Sequence, residues 1–313
     1  MENKPLVSVL MTSYNRQKYI AEAIESVIAS TYQNFELIIV DDNSTDKTFS
    51  IAKEYAAKDD RIVVYANENN LGQFANRNFA AEYAKGKYIK YVDSDDTVLP
   101  NAIALMVAGM EKNPSAGIGL VNNYLAGKNE NKVQYKLVSS EDAFLLHYSE
   151  VGLLFPGPTG GIFVTEYFWK AGGFPLDLGI NGDIYLNMLI AKISDVVVFP
   201  LKLMLWRIHN EQVDQLQQNF FQMHTERFAI NKKILSGKNI PLKNVDLRLI
   251  KLATKVLYTR GAIRNYLLKG KLKSFRAVMQ RADVSLFYLV TSVLPLRVIN
   301  SFKKIKDLGV GES

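Results

Sequence analysis

Three carboxylates lie within four positions directly after an apolar run in the first third of the chain. The run, residues 88–92, is aromatic and β-branched, which is typical of a buried strand, and Asp93, Asp95 and Asp96 follow it. Because side chains alternate along a strand, Asp93 and Asp95 point to the same side if the extended conformation continues. Two carboxylates held that close repel each other unless a cation lies between them. The pattern indicates a site for Mg²⁺ or Mn²⁺, which share oxygen ligands with substrate phosphates.

The same acidic segment has a second interpretation. It also fits a solvated turn that begins a helix at Pro100, in which Asp96 only caps that helix. Asp183 has a similar double meaning, because it begins an amphipathic segment where a helix cap is favoured. The Gly- and Pro-rich residues 155–161 fit either a loop that lets a substrate approach the backbone or a plain connector.

The elements around the acidic segment alternate between strands and helices. Apolar runs predict strands at residues 6–11, 35–40, 61–65 and 88–92, and helical spacing predicts a helix after each of the first three. This alternation predicts an α/β fold with a mostly parallel sheet flanked by helices. The first, second and fourth strands end in polar or acidic groups, so we expect those groups along one edge of the sheet.

Composition excludes several kinds of chemistry. The 313 residues include no cysteine, which excludes disulfides, thiolate metal sites and cysteine nucleophiles. No GxGxxG follows the first strand and no GxxxxGK[ST] occurs, which argues against dinucleotide and P-loop sites. The first residues lack the charged and apolar regions of a signal peptide, so we expect a cytoplasmic protein.

Charge divides the chain into an acidic front and a basic tail. Residues 211–313 carry 19 Lys and Arg against 7 Asp and Glu, within a total net charge of +7. We therefore predict a catalytic domain at residues 1–210 and a basic helical region at 211–313, with helices at 220–234, 244–269, 273–282 and 284–306. The apolar residues 284–296 either lie in a membrane interface or pack on the catalytic domain. We expect contact with the inner face of the plasma membrane and no nucleic-acid partner.

Four separate segments together resemble the family 2 glycosyltransferases of the GT-A fold. They are residues 7–16, 40–46, 70–78 and 88–96, and their order and spacing agree over the first hundred residues. The agreement is weaker up to Asn210, and the tail beyond Glu211 lies outside it. The resemblance implies a GT-A fold with a helical C-terminal extension, and an enzyme that moves a sugar from a nucleotide-sugar, expected to be a UDP-sugar, to a hydroxyl acceptor.

The resemblance also assigns roles to individual residues on the donor side. It implies that the base and ribose of the nucleotide are bound by Thr12, Tyr14, Asp41 and Asp42. It places Arg77 near the diphosphate. It makes Asp95 the ligand of the divalent cation, with Asp93 as the second carboxylate of that motif and a further contact to the nucleotide-sugar. The cation neutralises the diphosphate as it leaves, which is a Lewis-acid role.

On the acceptor side, the family pattern points to Asp183. Family members commonly carry Glu-Asp at the general base, whereas this chain has Gly182 and Asp183. As the base, Asp183 removes the proton of the acceptor hydroxyl, and a single displacement inverts the anomeric carbon. His209 resembles a later family motif and is either a ligand in the metal or diphosphate site or a structural residue.

These assignments predict a metal-dependent, inverting hexosyltransferase of surface polysaccharide synthesis, with a glycan or lipid-linked glycan as the acceptor. Two other functions compete with it. One is a nucleotidyltransferase on a related α/β scaffold, and the other is a non-catalytic protein that binds sugar or nucleic acid through its basic tail.

Overall fold

The computed structural model describes residues 4–122, 135–148, 152–242 and 247–281. The predicted helix at 284–306 and its apolar segment 284–296 lie outside these residues. The chain forms two compact units. The first comprises Met1–Ser140, Leu153–Asp177 and Gly182–Ile208, and the second comprises Glu141–Gly152, Leu178–Asn181 and His209–Ser313. The second unit thus takes in two short segments that precede the predicted boundary at residue 210.

The first unit is built on one sheet with helices between its strands. Within the described residues the strands of this sheet are β1 Val7–Ser13, β2 Phe35–Asp41, β3 Ile62–Ala66, β4 Tyr88–Tyr91, β6 Ala116–Val121, β7 Lys136–Val138, β8 Gly161–Val164 and β9 Asp195–Phe199. A second, two-stranded sheet pairs β5 Thr97–Val98 with β10 Met204–Leu205. The helices of this unit are α1 Ile20–Ile28, α2 Thr48–Ala56, α3 Gln73–Glu82, α4 Ala102–Glu111, α6 Thr165–Lys170 and α7 Gly182–Ile193. Helix α5 Ser140–Tyr148 belongs to the second unit from Glu141 onward.

The order of the large sheet is β3-β2-β1-β4-β8-β6-β9-β7. The four N-terminal strands, β6 and β9 run in one direction, while β8 and β7 are antiparallel to their neighbours. The sheet is therefore mostly parallel, as predicted. Strands β1, β2 and β4 are buried on both faces, which explains their nearly continuous apolar sequences, whereas the edge strands β3 and β7 are partly exposed.

The helix spacing found in the sequence matches the buried faces of the first unit. In α1 the side chains of Ile20, Ala23, Ile24 and Val27 are buried in the same apolar core as Val7 and Val9 of β1. Helices α2 and α3 follow β2 and β3, as predicted. The helix predicted from Pro100 begins at Ala102. Helix α5 and the short strand β5 were not predicted.

The second unit is helical over its longest described stretch. Helix α8 spans Asn210–Ser236 and α9 spans Leu247–Ala262. A π-helical turn at Ile263–Leu267 follows α9, and α10 spans Leu272–Arg281. The single helix predicted at 244–269 is therefore shorter and changes its winding at residue 263. Aromatic and aliphatic side chains of these helices form a separate core, which includes Phe228, Tyr258, Ala262, Tyr266, Phe275, Val278 and Met279.

No helix in the described ranges combines the length and the apolar composition needed to cross a membrane.

Candidate active site

The carboxyl end of β2 is organised around the buried carboxylate of Asp41. The parallel register places Ser13, the last residue of β1, directly beside Asp41. Asp41 accepts a hydrogen bond from the Ser13 hydroxyl at 3.0 Å, and it accepts the backbone N–H and the hydroxyl of Ser44 at 2.8 and 2.6 Å. A short side chain that accepts nearby backbone N–H groups stabilises a turn. Asp41 therefore closes the turn that follows β2.

Asp42 holds a different loop through its own carboxylate. It accepts the backbone N–H groups of Leu71 and Gly72 at 2.8 and 3.0 Å and the side-chain amide of Asn67 at 2.7 Å. Gly72 has a φ of 84°, which a residue with a Cβ rarely adopts, and it immediately precedes α3. Asp42 is 3% exposed. Its hydrogen bonds fix the position from which α3 starts.

Thr12 and Tyr14 lie at the end of β1, beside these two turns. Thr12 pairs in register with Val40. Tyr14 follows the last residue of the strand, and its side chain is 45% exposed. Strand register therefore brings Thr12, Tyr14, Asp41 and Asp42 to one edge of the sheet, as the sequence predicted. Their contacts with a nucleotide stay a prediction.

The acidic segment after β4 turns instead of continuing as a strand. The backbone N–H of Asp96 donates to the carbonyl of Asp93 at 2.9 Å, so the condition for Asp93 and Asp95 to alternate with period two is not met. Each carboxylate is instead paired with an arginine. Arg77 Nη2 lies 2.7 Å from Asp93 Oδ1, and Arg16 Nε lies 3.1 Å from Asp95 Oδ2. The turn thus carries two carboxylates that already lie in a cationic environment.

Arg77 is a deeply buried cation at this edge. It lies on α3, is 4% exposed, and has its guanidinium carbon 5.8 Å from the ring centroids of both Phe74 and Phe174. Burial acts to lower the pKa of Arg77, but Asp93 and Asp183 outweigh burial and the pKa is raised. Its Nε and Nη1 are buried and have no hydrogen-bond partner within the described residues. Unpaired buried donors of this kind favour a bound anion.

The Gly- and Pro-rich residues 155–161 are hydrogen-bonded to β4 and to the acidic turn that follows it. Thr159 Oγ1 accepts the backbone N–H of Asp93 at 3.0 Å, and the fully buried Lys90 Nζ donates to the carbonyl of Thr159. Asn187 of α7 donates to the carbonyl of Pro156 at 2.9 Å. This segment is therefore a shaped part of the site edge and not a plain connector.

Asp96 corrects one expectation from the sequence. It does not cap the helix after Pro100, because α4 is preceded by Asn101 and Asp96 instead accepts the backbone N–H of Arg207 at 3.1 Å. Burial raises the pKa of Asp96 to about 7, and the nearby Asp93 adds to the shift. Arg207 Nε also donates to the carbonyl of Asp95 at 3.0 Å. Asp96 and Arg207 thus hold the acidic turn against the strand that ends at Leu205.

Asp183 lies at the first turn of α7, close to the Gly- and Pro-rich segment. A Cβ built on Gly157 would come within 3.6 Å of Asp183 Oδ2. Asp183 Oδ1 accepts the backbone N–H of Ile184 at 2.8 Å, and its charge contributes to the raised pKa of Arg77. Asp183 therefore lies near enough to Arg77 to act on its charge, and Arg77 is in turn paired with Asp93, although the three residues come from separate parts of the sequence.

The glycine that replaces the expected glutamate before Asp183 has a steric reason. A Cβ built on Gly182 would lie 2.6 Å from the ring of Phe74. That ring stacks on Phe174 with centroids 5.4 Å apart. The backbone of Phe174 is held in turn by the side-chain amide of Asn78, which donates to its carbonyl and accepts its N–H, both at 2.8 Å. The Phe74 ring therefore takes the space that a side chain at 182 needs, and only glycine fits.

His209 directly precedes α8 and belongs to the second unit. Among the residues with described positions, no group of three or more His, Asp and Glu side chains is arranged to hold a metal ion. Asp93 and Asp95 supply hard oxygen donors, which fit Mg²⁺ or Mn²⁺ when a diphosphate provides further oxygens. The metal role of His209 stays a prediction.

Known proteins resemble this chain in sequence over part of its length. The family model "Glycosyl transferase family 2" matches residues 8–169, which is just over half of the chain. A glycosyltransferase of Methanocaldococcus jannaschii is 47% identical over 113 residues, which make up 36% of this chain and 39% of that protein. The Escherichia coli UDP-Glc:alpha-D-GlcNAc-diphosphoundecaprenol beta-1,3-glucosyltransferase is 40% identical over 108 residues, 34% of this chain and 42% of that protein. The matched segments thus span about two fifths of these relatives.

Solved structures match over more of the chain. TarS of Staphylococcus aureus covers 88% of this chain and 81% of its own, with a TM-score of 0.64 at 19% identity. The mannosyltransferase PcManGT of Pyrobaculum calidifontis covers 99% of this chain and 84% of its own, with a TM-score of 0.64 at 18% identity. At such identities the likeness shows the fold, which is the GT-A fold that the sequence predicted. Together with the family match, it identifies the chain as a member of glycosyl transferase family 2.

Proposed function

We propose that this protein transfers a sugar from a nucleoside-diphosphate sugar to a hydroxyl of a glycan or lipid-linked glycan, with inversion at the anomeric carbon. The observation that carries the proposal is the convergence of Asp183, Arg77 and Asp93 at the carboxyl edge of the sheet. A protein that only binds sugar or nucleic acid has no need of a general base, the role that this proposal gives to Asp183. Membership of glycosyl transferase family 2 favours the transfer of a sugar over the transfer of a nucleotidyl group.

In the proposed reaction, the carboxylate of Asp183 accepts the proton of the acceptor hydroxyl. The acceptor oxygen then forms its bond to the anomeric carbon as the bond from that carbon to the diphosphate oxygen breaks, and the nucleoside diphosphate leaves with the electron pair. Arg77 orients the diphosphate through its unpaired N–H groups and stabilises its charge. Thr12, Tyr14, Asp41 and Asp42 lie at the edge where the base and ribose bind in this proposal.

We assign the divalent cation to Asp95 and Asp93. A bound Mg²⁺ or Mn²⁺ supplies Lewis-acid stabilisation of the leaving diphosphate. Two findings support the assignment: both ligands are hard carboxylates on one turn, and PcManGT was solved in complex with GDP-Man and Mn²⁺. Surface-glycan synthesis is supported by the E. coli relative, whose name gives a UDP-Glc donor and a diphosphoundecaprenol-linked acceptor. TarS, which was solved with UDP-GlcNAc, supports a UDP-sugar as the donor. A lipid-linked acceptor fits a cytoplasmic protein that is peripheral to the membrane.

The experiment that tests the proposal is the Asp183→Asn variant, assayed with a panel of nucleotide-sugars and isolated lipid-linked glycans. Transfer should fall by about 10²- to 10⁴-fold, because the amide cannot accept the proton, while nucleotide binding by calorimetry stays within a fewfold of the wild-type value. Asp60→Asn, at an exposed acid before β3, is the matched control. Undiminished transfer by the Asp183→Asn variant would show that Asp183 is not the general base. Release of pyrophosphate in place of a nucleoside diphosphate would instead favour a nucleotidyltransferase.

A further inference from the structure

The second unit presents a turn in which apolar and basic side chains alternate at the surface. Between the π-helical turn and the start of α10 the chain reads Leu-Lys-Gly-Lys-Leu-Lys at residues 268–273, and all six residues are exposed. Leu268 is 76% exposed and Leu272 is 53% exposed. Single exposed leucines are ordinary on protein surfaces, but two leucines and three lysines within six exposed residues form a distinct pattern. We call residues 268–273 the basic-leucine turn.

The backbone of the basic-leucine turn is ordered by its own hydrogen bonds. The N–H of Leu268 donates to the carbonyl of Ile263 at 3.0 Å, and the N–H of Lys271 donates to the carbonyl of Tyr266 at 2.8 Å. Gly270 has a φ of 70°, and no atom lies within 4 Å of the position that a Cβ would occupy. On either side, Tyr266 and Phe275 are buried in the core of the unit. The two leucines are therefore displayed by a fixed turn that has open space around it.

The stretch of sequence that contains the basic-leucine turn carries charge of one sign. Residues 247–281 contain ten Lys and Arg and no Asp or Glu. Lys269, Lys271 and Lys273 flank the two leucines, and Arg276 is exposed one turn further along α10. A partner that fits this surface must offer a dense array of negative charge and, next to it, an apolar layer. A nucleic acid offers the charge without the apolar layer, whereas the surface of an anionic bilayer offers both.

We propose that the basic-leucine turn docks this protein on an anionic bilayer. Leu268 and Leu272 enter the boundary between headgroups and acyl chains, and the three lysines bind lipid phosphates. The inference rests on the proposed peripheral location and not on the transfer chemistry. A failure of vesicle binding and a failure of sugar transfer are therefore separate results.

The test is co-sedimentation of the full chain with sucrose-loaded vesicles. One set contains phosphatidylcholine and phosphatidylglycerol, and the other contains phosphatidylcholine alone. The wild-type protein should bind the anionic vesicles, and binding should weaken as salt is raised. The double variant Leu268→Ser with Leu272→Ser, and the triple variant Lys269→Gln, Lys271→Gln, Lys273→Gln, should each lower the partition coefficient by about tenfold or more. Release of nucleoside diphosphate by the wild-type protein in solution is measured in parallel.

The matched control takes one leucine and one lysine from the same unit but outside the turn. Leu252 is 37% exposed on α9 and Lys238 is exposed after α8, so Leu252→Ser with Lys238→Gln should change the partition coefficient less than twofold. Equal binding of the turn variants and the wild-type protein would overturn the proposal, as would equal binding to both kinds of vesicle. A melting temperature lowered by several degrees in the leucine variant would show that other parts of the chain cover the leucines. A wild-type dimer that dissociates in the leucine variant would show that a second copy covers them. Either result overturns the proposal.

Discussion

The two acidic segments that follow β2 and β4 look alike in sequence, yet their carboxylates lie in different environments. Asp41 and Asp42 are almost fully buried, and each accepts three hydrogen bonds from neutral donors of nearby turns. Asp93 and Asp95 are each paired with an arginine, and their side chains are 29% and 14% exposed. Both segments belong to the same edge of one sheet.

This difference indicates that Asp41 and Asp42 stabilise loops, whereas Asp93 and Asp95 can exchange an arginine for a metal ion. The donors around Asp41 and Asp42 are backbone N–H groups, hydroxyls and an amide, which lose an acceptor if the carboxylate is removed. The partners of Asp93 and Asp95 are cations, and a divalent cation can replace the charge that they supply. We therefore expect substitutions after β2 to lower stability and substitutions after β4 to lower activity.

The largest expected effect comes from Asp95→Asn. Loss of a cation ligand should lower transfer by about 10³-fold, because metal stabilisation of the leaving group amounts to several kcal/mol. The free energy of unfolding should fall by only about 1 kcal/mol or less, since the lost ion pair with Arg16 is partly exposed. The measurement is the release of nucleoside diphosphate during a Mn²⁺ titration, paired with urea unfolding. Activity that survives removal of the metal by a chelator, in the wild-type protein, would contradict the assignment.

Asp42→Ala should show the opposite balance. Three donors, from Asn67, Leu71 and Gly72, lose their acceptor, so the free energy of unfolding should fall by about 2 to 4 kcal/mol. Asp42→Asn retains one acceptor oxygen and should cost about half as much. Urea unfolding gives both values. If stability falls by less than about 1 kcal/mol while nucleotide affinity is lost, Asp42 acts as a ligand and not as a loop brace.

Most of the fold on which this comparison rests could be predicted from the sequence. The strands and helices of the first hundred residues follow from hydrophobic periodicity, because each helix buries one face, as Ile20, Ala23, Ile24 and Val27 of α1 do. The shared edge follows from the parallel connections. Helix α5 could not be found in this way, since residues 143–148 are buried without a polar face and show no period.

The details of the site depend on residues that meet from distant parts of the chain. The pairs Arg16 with Asp95 and Arg207 with Asp96 join residues 79 and 111 positions apart, which no local pattern reveals. The fit of Gly182 against Phe74 is likewise a tertiary contact. The sequence did signal Arg16, since it stands in the first segment of the family resemblance, but that resemblance gave it no role.

The buried Lys90 extends the comparison to pH, because a cation lies beneath the acids of β4. Its Nζ donates to the carbonyls of Tyr91 and Thr159, and burial lowers its pKa to about 7, against the opposing effect of Asp93 and Asp96. In the unfolded chain the pKa of a lysine is about 10.4. Between pH 7 and 10 the unfolded state therefore binds more protons, and the free energy of unfolding rises with pH by at most about 1.4 kcal/mol per unit from this group. Asp96, with its pKa raised to about 7, changes the stability only at lower pH. Between about pH 4 and 7 the folded state binds more protons at Asp96 than the unfolded state does, so the free energy of unfolding falls as pH rises.

Lys90→Met isolates the alkaline part of this profile. The free energy of unfolding, measured in urea at pH 7.5, 8.5 and 9.5, should rise in the wild-type protein relative to the variant at each step, by at most about 1.4 kcal/mol per unit. The control for the substitution itself is Lys87→Met, because Lys87 directly precedes β4 and its side chain is 53% exposed. A difference between wild type and Lys90→Met that stays constant from pH 7.5 to 9.5 would mean that Lys90 stays charged in the folded protein, as it does in the unfolded chain. The acids that follow β4 would then lie above a permanent cation, and that cation would add to the two arginines in the contrast with the acids that follow β2.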